Sequence, residues 1–270
     1  MKQFLFTIVF VFQVVHQVQA YSFKEESYDY TIKNKVHSIQ VESAVVSNLE
    51  QTTWTNLGNG VWNLGNSGQR ATISGSDIII SGQGAMSNLT YRDSCAFAAI
   101  IFNPRRIIIE EGITDIGSYF FSGCDAVVSI IIPQSVTSIH AYAFAGCSNL
   151  ASVIIHGDIS RLHFRAFHNS GSFTASVMEE VTDLTEILHC SNIVNFEVSE
   201  GNPVYSSLDG TLYNKDYSHI FRHPKNRSGS FTIPNTVTHI GQNAFDGCSL
   251  LPSLTLSNSI THIGDCAFTQ

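Results

Sequence analysis

Six cysteines and eleven histidines are the residues of this 270-residue chain whose side chains could ligate a metal or carry redox or acid–base chemistry. Four cysteines recur at one position of a repeated pattern: Cys124, Cys147, Cys190 and Cys248. A free cysteine packs as a small apolar residue, so we interpret these four as buried thiols rather than as disulfides, which remain the alternative in an exported chain. Cys95 and Cys266 lie outside this register and near opposite ends of the repeats, and we do not expect them to pair within one chain.

The histidines lack the spacing of a metal site. The sequence contains no His-Glu-x-x-His or Cys-x-x-Cys motif and no Gly-x-Ser-x-Gly nucleophile elbow. His239 and His262 occupy equivalent repeat positions, which predicts that they stack about 5 Å apart on neighbouring strands. A surface ladder is the favoured interpretation over a zinc site. We therefore predict no catalytic residues, no metal and no cofactor.

The elements that position these side chains repeat every 23 residues, as in the segments that begin at Ile107, Ile130 and Val153. Later copies begin at Phe231 and Leu254. Each copy carries a phenylalanine at the same distance from its start: Phe121, Phe144, Phe167, Phe245 and Phe268. A unit this short cannot bury its own apolar face and must stack on further copies, which predicts a solenoid.

Each copy also predicts a local structure. The alternation in Val127-x-x-Ile130-x-Ile132 is typical of a short strand that pairs in parallel with its neighbours. The segments of the type Ala-Phe-Ala-Gly-Cys are short enough for a single helical turn on the opposite wall. The predicted fold is thus an α/β repeat solenoid with short parallel β-strands and short helical turns. The third copy is shortened to 20 residues and has Ser170 in place of the cysteine, and no C-terminal cap is visible after Phe268.

Four segments are predicted along the chain. Residues 1–20 combine Lys2, an apolar run and a small-residue end at Ala20, which is typical of a signal peptide; a single N-terminal membrane anchor is the alternative. Residues 21–100 form a β-rich N-terminal region, residues 101–270 the solenoid, and residues 196–230 an insertion. Asp209-Gly210 within the insertion is a strong hairpin turn signal, and we expect a projecting β-meander there. No later apolar run is long enough to cross a bilayer, so we predict no membrane insertion after signal removal.

Charge and glycosylation signals point to an exported protein without a nucleic-acid partner. The formal net charge is −8, and phosphate binding needs clustered lysine and arginine. Asn88 and Asn226 begin Asn-x-Ser/Thr triplets and are candidate glycosylation sites.

The outward face of the predicted strands carries the candidate partner-binding residues. Ile108, Ile131 and Ile154 should point to solvent on three adjacent strands, with Arg106 at the edge. A contiguous exposed apolar patch of this kind often marks a protein-binding surface. The alternative is that another part of the chain, or self-association, covers it.

The repeats resemble a known family. The units "IIIPQSVTSIHAYAFAGCSNLASV" and "FTIPNTVTHIGQNAFDGCSLLPSL" are similar to the BspA-like, or Treponema pallidum type, leucine-rich repeats. The insertion "NPVYSSLDGTLYNKD" resembles a hairpin insert of that family, and "ATISGSDIIISGQGAM" resembles its N-terminal β-rich segment. The resemblance implies a secreted or cell-surface protein that binds host extracellular matrix or cell-surface proteins as an adhesin. A structural, self-assembling surface coat component is the alternative.

Overall fold

The computed structural model describes residues 54–64, 68–90 and 104–269. The predicted signal peptide at 1–20 and Cys95 lie outside these residues. The described part of the chain forms a β-solenoid of about 7 turns. Its strands, in chain order, are β1 Trp54–Gly58, β2 Val61–Leu64, β3 Arg70–Ser74, β4 Asp77–Ser81, β5 Gly84–Ala85, β6 Arg106–Ile109, β7 Ile113–Ile116, β8 Ser129–Ile132, β9 Ser138–Ile139, β10 Ser152–Ile155, β11 Arg161–Leu162, β12 Phe173–Val177, β13 Ile193–Val198, β14 Tyr205–Leu208, β15 Thr211–Asn214, β16 His219–Arg222, β17 Phe231–Thr232, β18 His239–Ile240, β19 Leu254–Thr255 and β20 His262–Ile263.

The first sheet is the longest and contains the repeated strands. Its described strands follow the order β1-β2-β3-β4-β6-β8-β10-β12-β13. Strands β1 to β4 pair antiparallel, and from β4 onward the pairing is parallel. Ile107, Ile130 and Val153 lie side by side on β6, β8 and β10 and are at most 1% exposed. The predicted parallel strands and their inward residues are therefore confirmed.

The predicted fold class was wrong about the wall opposite the first sheet. The expected short helical turns are absent from the described part of this wall. Strands β11-β9-β7-β5 form a second sheet there, followed in each coil by consecutive turns. The amides of Phe121 and Phe144 donate to carbonyls of the next coil, at Ala143 and Ala166, both at 2.8 Å. Tyr142 is in the left-handed region at φ 59°, which a helix cannot accommodate. Only a short 3-10 helix, Ile187–His189, interrupts the described strands and turns.

Stacked phenylalanines fill the space behind these turns. The ring centroids of Phe121 and Phe144 lie 5.4 Å apart, and those of Phe144 and Phe167 lie 5.2 Å apart. All three side chains are buried, as is Phe245, which stacks on Phe268 at 5.4 Å. The 23-residue register is therefore correct. In the last described coil, Phe268 is 41% exposed.

The insertion folds against the solenoid rather than projecting from it as expected. Strands β14, β15 and β16 are antiparallel, but β16 then pairs in parallel with β18, and β18 with β20. The meander therefore forms one sheet with β18 and β20 of the following coils. Leu212 and Tyr213 on β15 are fully buried within it. The apolar core divides here into a large cluster that ends at Leu212 and a smaller one from Tyr213 to Ala267.

The boundaries of the four segments remain predictions. Strand β4, placed by the sequence in the N-terminal region, pairs in parallel register with β6, with Ile78 opposite Ile107. No helix within the described residues has the length and apolarity to span a bilayer.

Candidate functional site

The outward residues of the first sheet form an apolar row. Strand pairing places Ile79, Ile108, Ile131 and Ile154 next to one another on β4, β6, β8 and β10. Each of these four side chains, here called the isoleucine stripe, is partly exposed. Their inward neighbours are buried because successive side chains of a strand face opposite ways. The structure thus brings Ile108, Ile131 and Ile154 together as the sequence predicted.

Ile79 is a member of the stripe that the sequence reasoning missed. The signal was present, because Asp77-Ile78-Ile79-Ile80 has the same pattern as Arg106-Ile107-Ile108-Ile109. It was overlooked because the interval from β4 to β6 is longer than the 23-residue period. With Ile79, the stripe crosses four strands instead of three.

Polar residues bound the stripe at both ends. Thr72 on β3 lies opposite Ile79, and Ser176 on β12 lies opposite Ile154, and both are partly exposed. A second outward row lies beside the stripe, two residues earlier on the same strands, and consists of Arg106, Ser129 and Ser152. An apolar centre with a polar rim is the usual anatomy of a protein-binding surface.

Arg106 lies beside the stripe but is already paired. Its Nε and Nη2 atoms donate to the two carboxylate oxygens of Asp77 at 2.9 and 2.5 Å. The hydrogen bond from Arg106 lowers the pKa of Asp77 below its ordinary value. The edge of the stripe therefore presents an ion pair, neutral overall, and not a free arginine.

The repeated cysteines are structural. Cys124, Cys147 and Cys248 are buried, Cys190 is partly exposed, and every described cysteine is a free thiol. The Cys147 thiol lies 3.3 Å from the carbonyl oxygen of Phe121 in the preceding coil. Burial raises the pKa of Cys124 to about 12 and that of Cys190 to about 11, so neither forms a reactive thiolate at neutral pH.

The histidines of β16, β18 and β20 form the predicted ladder, with one more member. The rings of His239 and His262 stack at 4.4 Å, and His219 stacks on His239 at 5.8 Å. His219 was missed because it lies in the insertion, outside the repeat. Among the described residues, no group of three or more histidine, cysteine or acidic side chains could hold a metal ion.

Both candidate glycosylation sites are on the surface. Asn88 and Asn226 are exposed, and Oδ1 of Asn88 accepts a hydrogen bond from the amide of Ser118 at 2.7 Å. Glycosylation of either residue remains a prediction.

Solved structures similar to this one are bacterial leucine-rich repeat proteins. A leucine-rich repeat protein from Eubacterium ventriosum is 22% identical with a TM-score of 0.48, over 81% of this chain and 63% of that protein. A leucine rich cell surface protein from Faecalibacterium prausnitzii is 18% identical, with a TM-score of 0.36, over 76% of this chain and 73% of its own. The T. pallidum leucine rich repeat protein is 15% identical, with a TM-score of 0.28, over 74% of this chain and 87% of its own.

The family itself follows from the sequence. No curated protein matches the chain. The profile of the BspA type leucine rich repeat region matches in 6 copies, over residues 77–203 and 217–270, which is more than half of the chain. The chain belongs to the family of BspA-type leucine-rich repeat proteins.

Proposed function

We propose that this protein is a secreted or cell-surface recognition module, without enzymatic activity, that binds host extracellular matrix or cell-surface proteins through the isoleucine stripe. The observation that supports this most is the alignment of four partly exposed isoleucines on adjacent strands. The leucine-rich repeat solenoid is typically a scaffold for protein interaction, which agrees with this role.

The energetics favour a protein partner for this surface. Removing apolar area from water stabilises a complex by roughly 25 cal/mol per Å². The stripe also loses little freedom on binding, because its strands are fixed by parallel pairing and by a buried inner face. Thr72, Ser176 and the Arg106–Asp77 pair would supply polar contacts around an apolar centre.

Export is part of the proposal. The features that support it are the predicted signal peptide at 1–20 and the two exposed asparagines of Asn-x-Ser/Thr triplets, Asn88 and Asn226. The proposed organisation is a β-rich region at 21–100 followed by the repeats at 101–270, with the insertion at 196–230.

The second candidate is a self-assembling surface coat, in which the isoleucine stripe of one copy contacts the stripe of another. Sedimentation over a range of protein concentrations, together with binding to immobilised matrix proteins, separates the two. The recognition role predicts a monomer whose matrix binding is lost in Ile108→Asp. Concentration-dependent assembly that Ile108→Asp abolishes, without matrix binding by the wild type, would favour the coat.

A further inference from the structure

A second surface stands out on the third coil of the solenoid. Arg161, His163, Phe164, Arg165 and His168 are all exposed, and Phe164 is 77% exposed. We call these five residues the cationic–aromatic segment. The side chains between them, such as Ala166 and Phe167, point inward and are buried. The segment is therefore a continuous surface feature carried by a packed coil.

The repeat scaffold does not require these residue types. At the positions of Phe164 and His168 the other copies have small, polar or acidic side chains, whereas the position of Arg165 is held by Tyr119 and Tyr142 in the two preceding copies. The position of Phe164 is held in the other coils by Ser118, Ala141, Gln242 and Asp265. The position of Arg161 is held by Asp115, Ser138, His239 and His262. None of the other four copies has an arginine at the positions of Arg161 and Arg165 or a phenylalanine at that of Phe164, so the repeat does not explain their occurrence together in one coil.

Contacts within the segment hold it in a defined arrangement. The Arg165 guanidinium lies 4.9 Å from the ring centroid of Phe164 and 5.8 Å from that of Tyr142. Arg165 also donates a hydrogen bond to the Tyr142 hydroxyl, and the His163 ring stacks on Phe164 at 4.8 Å. Tyr142 in turn stacks on Tyr119 at 4.8 Å. The segment is pre-organised, which reduces the entropic cost of binding.

The charge of the segment is opposite to that of the whole protein. The chain carries a formal net charge of −8, yet neither Arg161 nor Arg165 makes an ion pair with any carboxylate of the described residues. Glu186 lines a surface cleft of about 340 Å³ together with His163 and Phe164. An anionic partner would find two guanidinium groups without an ion pair in one coil, one of them against an exposed aromatic ring.

We infer that the cationic–aromatic segment is a second docking surface, which binds an acidic segment of a partner protein. The arginines pair with carboxylates, and Phe164 enters an apolar depression of the partner, as aromatic and arginine hot spots do. A protein fits better than a glycan because His163 and Arg165 already lie against the Phe164 ring that a sugar would stack on. This inference does not depend on the isoleucine stripe, which lies on the first sheet, whereas β11 belongs to the opposite wall.

The test uses synthetic polyanions as probes. Fluorescence anisotropy measures binding of a labelled glutamate–tyrosine copolymer, of poly-glutamate and of heparin to the purified chain. The copolymer, which combines carboxylates with apolar rings, is expected to bind most tightly. Arg165→Gln and Phe164→Ala should each weaken its binding about tenfold, because a charged or buried hot-spot contact is worth at least that factor.

Arg70→Gln is the matched control, since it removes the same charge from an exposed arginine on β3. Its affinity for the copolymer should stay within about twofold of the wild type, because a charge outside the contact contributes little at physiological salt. Circular dichroism checks that every variant is folded. Absence of copolymer binding, or equal losses in Arg70→Gln and Arg165→Gln, would overturn the inference. Tighter binding of heparin that depends on Arg165 but not on Phe164 would assign the surface to an anionic glycan instead.

Discussion

Mild acid should loosen the C-terminal coils, because a histidine is buried in their core. His223 is fully buried and takes the place of a phenylalanine in the aromatic stack, with its ring centroid 5.2 Å from that of Phe245 and 4.4 Å from that of Phe231. Its Nδ1 atom lies 2.8 Å from the hydroxyl of Thr211, and its Nε2 atom has no hydrogen-bond partner. Burial, with a smaller contribution from the charge of Arg227, lowers the pKa of His223 from 6.5 to about 4.

The size of the effect follows from proton linkage. Above about pH 6.5 the imidazole is neutral in both folded and unfolded chains, so it adds no pH dependence. Below that pH the unfolded chain binds a proton that the folded chain does not, and stability falls by about 1.4 kcal/mol per pH unit. The loss ends near the folded pKa of about 4. Lowering the pH from 6.5 to about 4 therefore reduces the free energy of unfolding by about 3 kcal/mol. This is a large share of the stability of a small domain.

The assay must read the C-terminal core directly. Both tryptophans, Trp54 and Trp62, lie on β1 and β2, so their fluorescence reports the other end of the described chain. Hydrogen exchange of the amides of β16 and β18 should show an opening free energy that falls between about pH 6.5 and about pH 4.5. The amides of β8 and β10 serve as the internal reference.

His223→Phe isolates the cause. The variant restores an aromatic ring to the stack and removes the His223 titration, so the acid-dependent loss at β16 and β18 should shrink to the part that His219 contributes, whose pKa is also lowered by burial. Leaving the Thr211 hydroxyl without its partner costs about 1 kcal/mol at every pH, so the slope rather than the absolute stability is compared. His189→Gln, at an exposed histidine, should keep the wild-type slope. An equal slope in wild type and His223→Phe would refute the reasoning.

Three further predictions concern the core and the surface. Phe144→Ala should lower the free energy of unfolding by about 3 to 5 kcal/mol in urea titrations, because it opens a cavity in the aromatic stack; a loss below about 1 kcal/mol would contradict that packing. Cys124 and Cys147 should react slowly with a thiol reagent in the native protein and quickly after denaturation, since burial raises the pKa of both thiols; fast native labelling would disprove their burial. Expression through a eukaryotic secretory pathway should give a glycosidase-sensitive mass that Asn88→Gln with Asn226→Gln removes, and an unchanged wild-type mass would exclude glycosylation.

The repeat made most of the fold predictable. Fixed apolar positions determined the coil register, so the burial of Phe121 and Phe144 and the outward direction of Ile131 followed from spacing alone. The helical turns were wrongly expected because a short Ala-Phe-Ala-Gly-Cys segment suits one turn of helix as well as a set of turns. Hydrogen bonding between coils decides that choice, and no local sequence pattern shows it.

Contacts between non-equivalent positions were not predictable from the repeat. The pairing of β16 with β18 depends on the path of the insertion, which has no counterpart in the other coils. For the same reason, the stacking of His219 on His239 was not expected. The ion pair between Arg106 and Asp77 connects β6 with β4. The interval between these strands is not the 23-residue period, so the repeat did not predict the pair. Within the candidate site, the repeat therefore predicted the isoleucines but not their edge.

Binding by an Ile131→Asp variant tests the central claim most directly. Ile131 lies in the middle of the isoleucine stripe and is partly exposed, so aspartate there should leave the solenoid folded while placing a charge in the contact. Thr255→Asp, at an exposed threonine on β19 outside the first sheet, is the matched control. Affinity for a matrix protein that the wild type binds should fall at least about tenfold in Ile131→Asp and stay within about twofold in Thr255→Asp. Undiminished binding by a folded Ile131→Asp protein would contradict the claim that the stripe is the recognition surface.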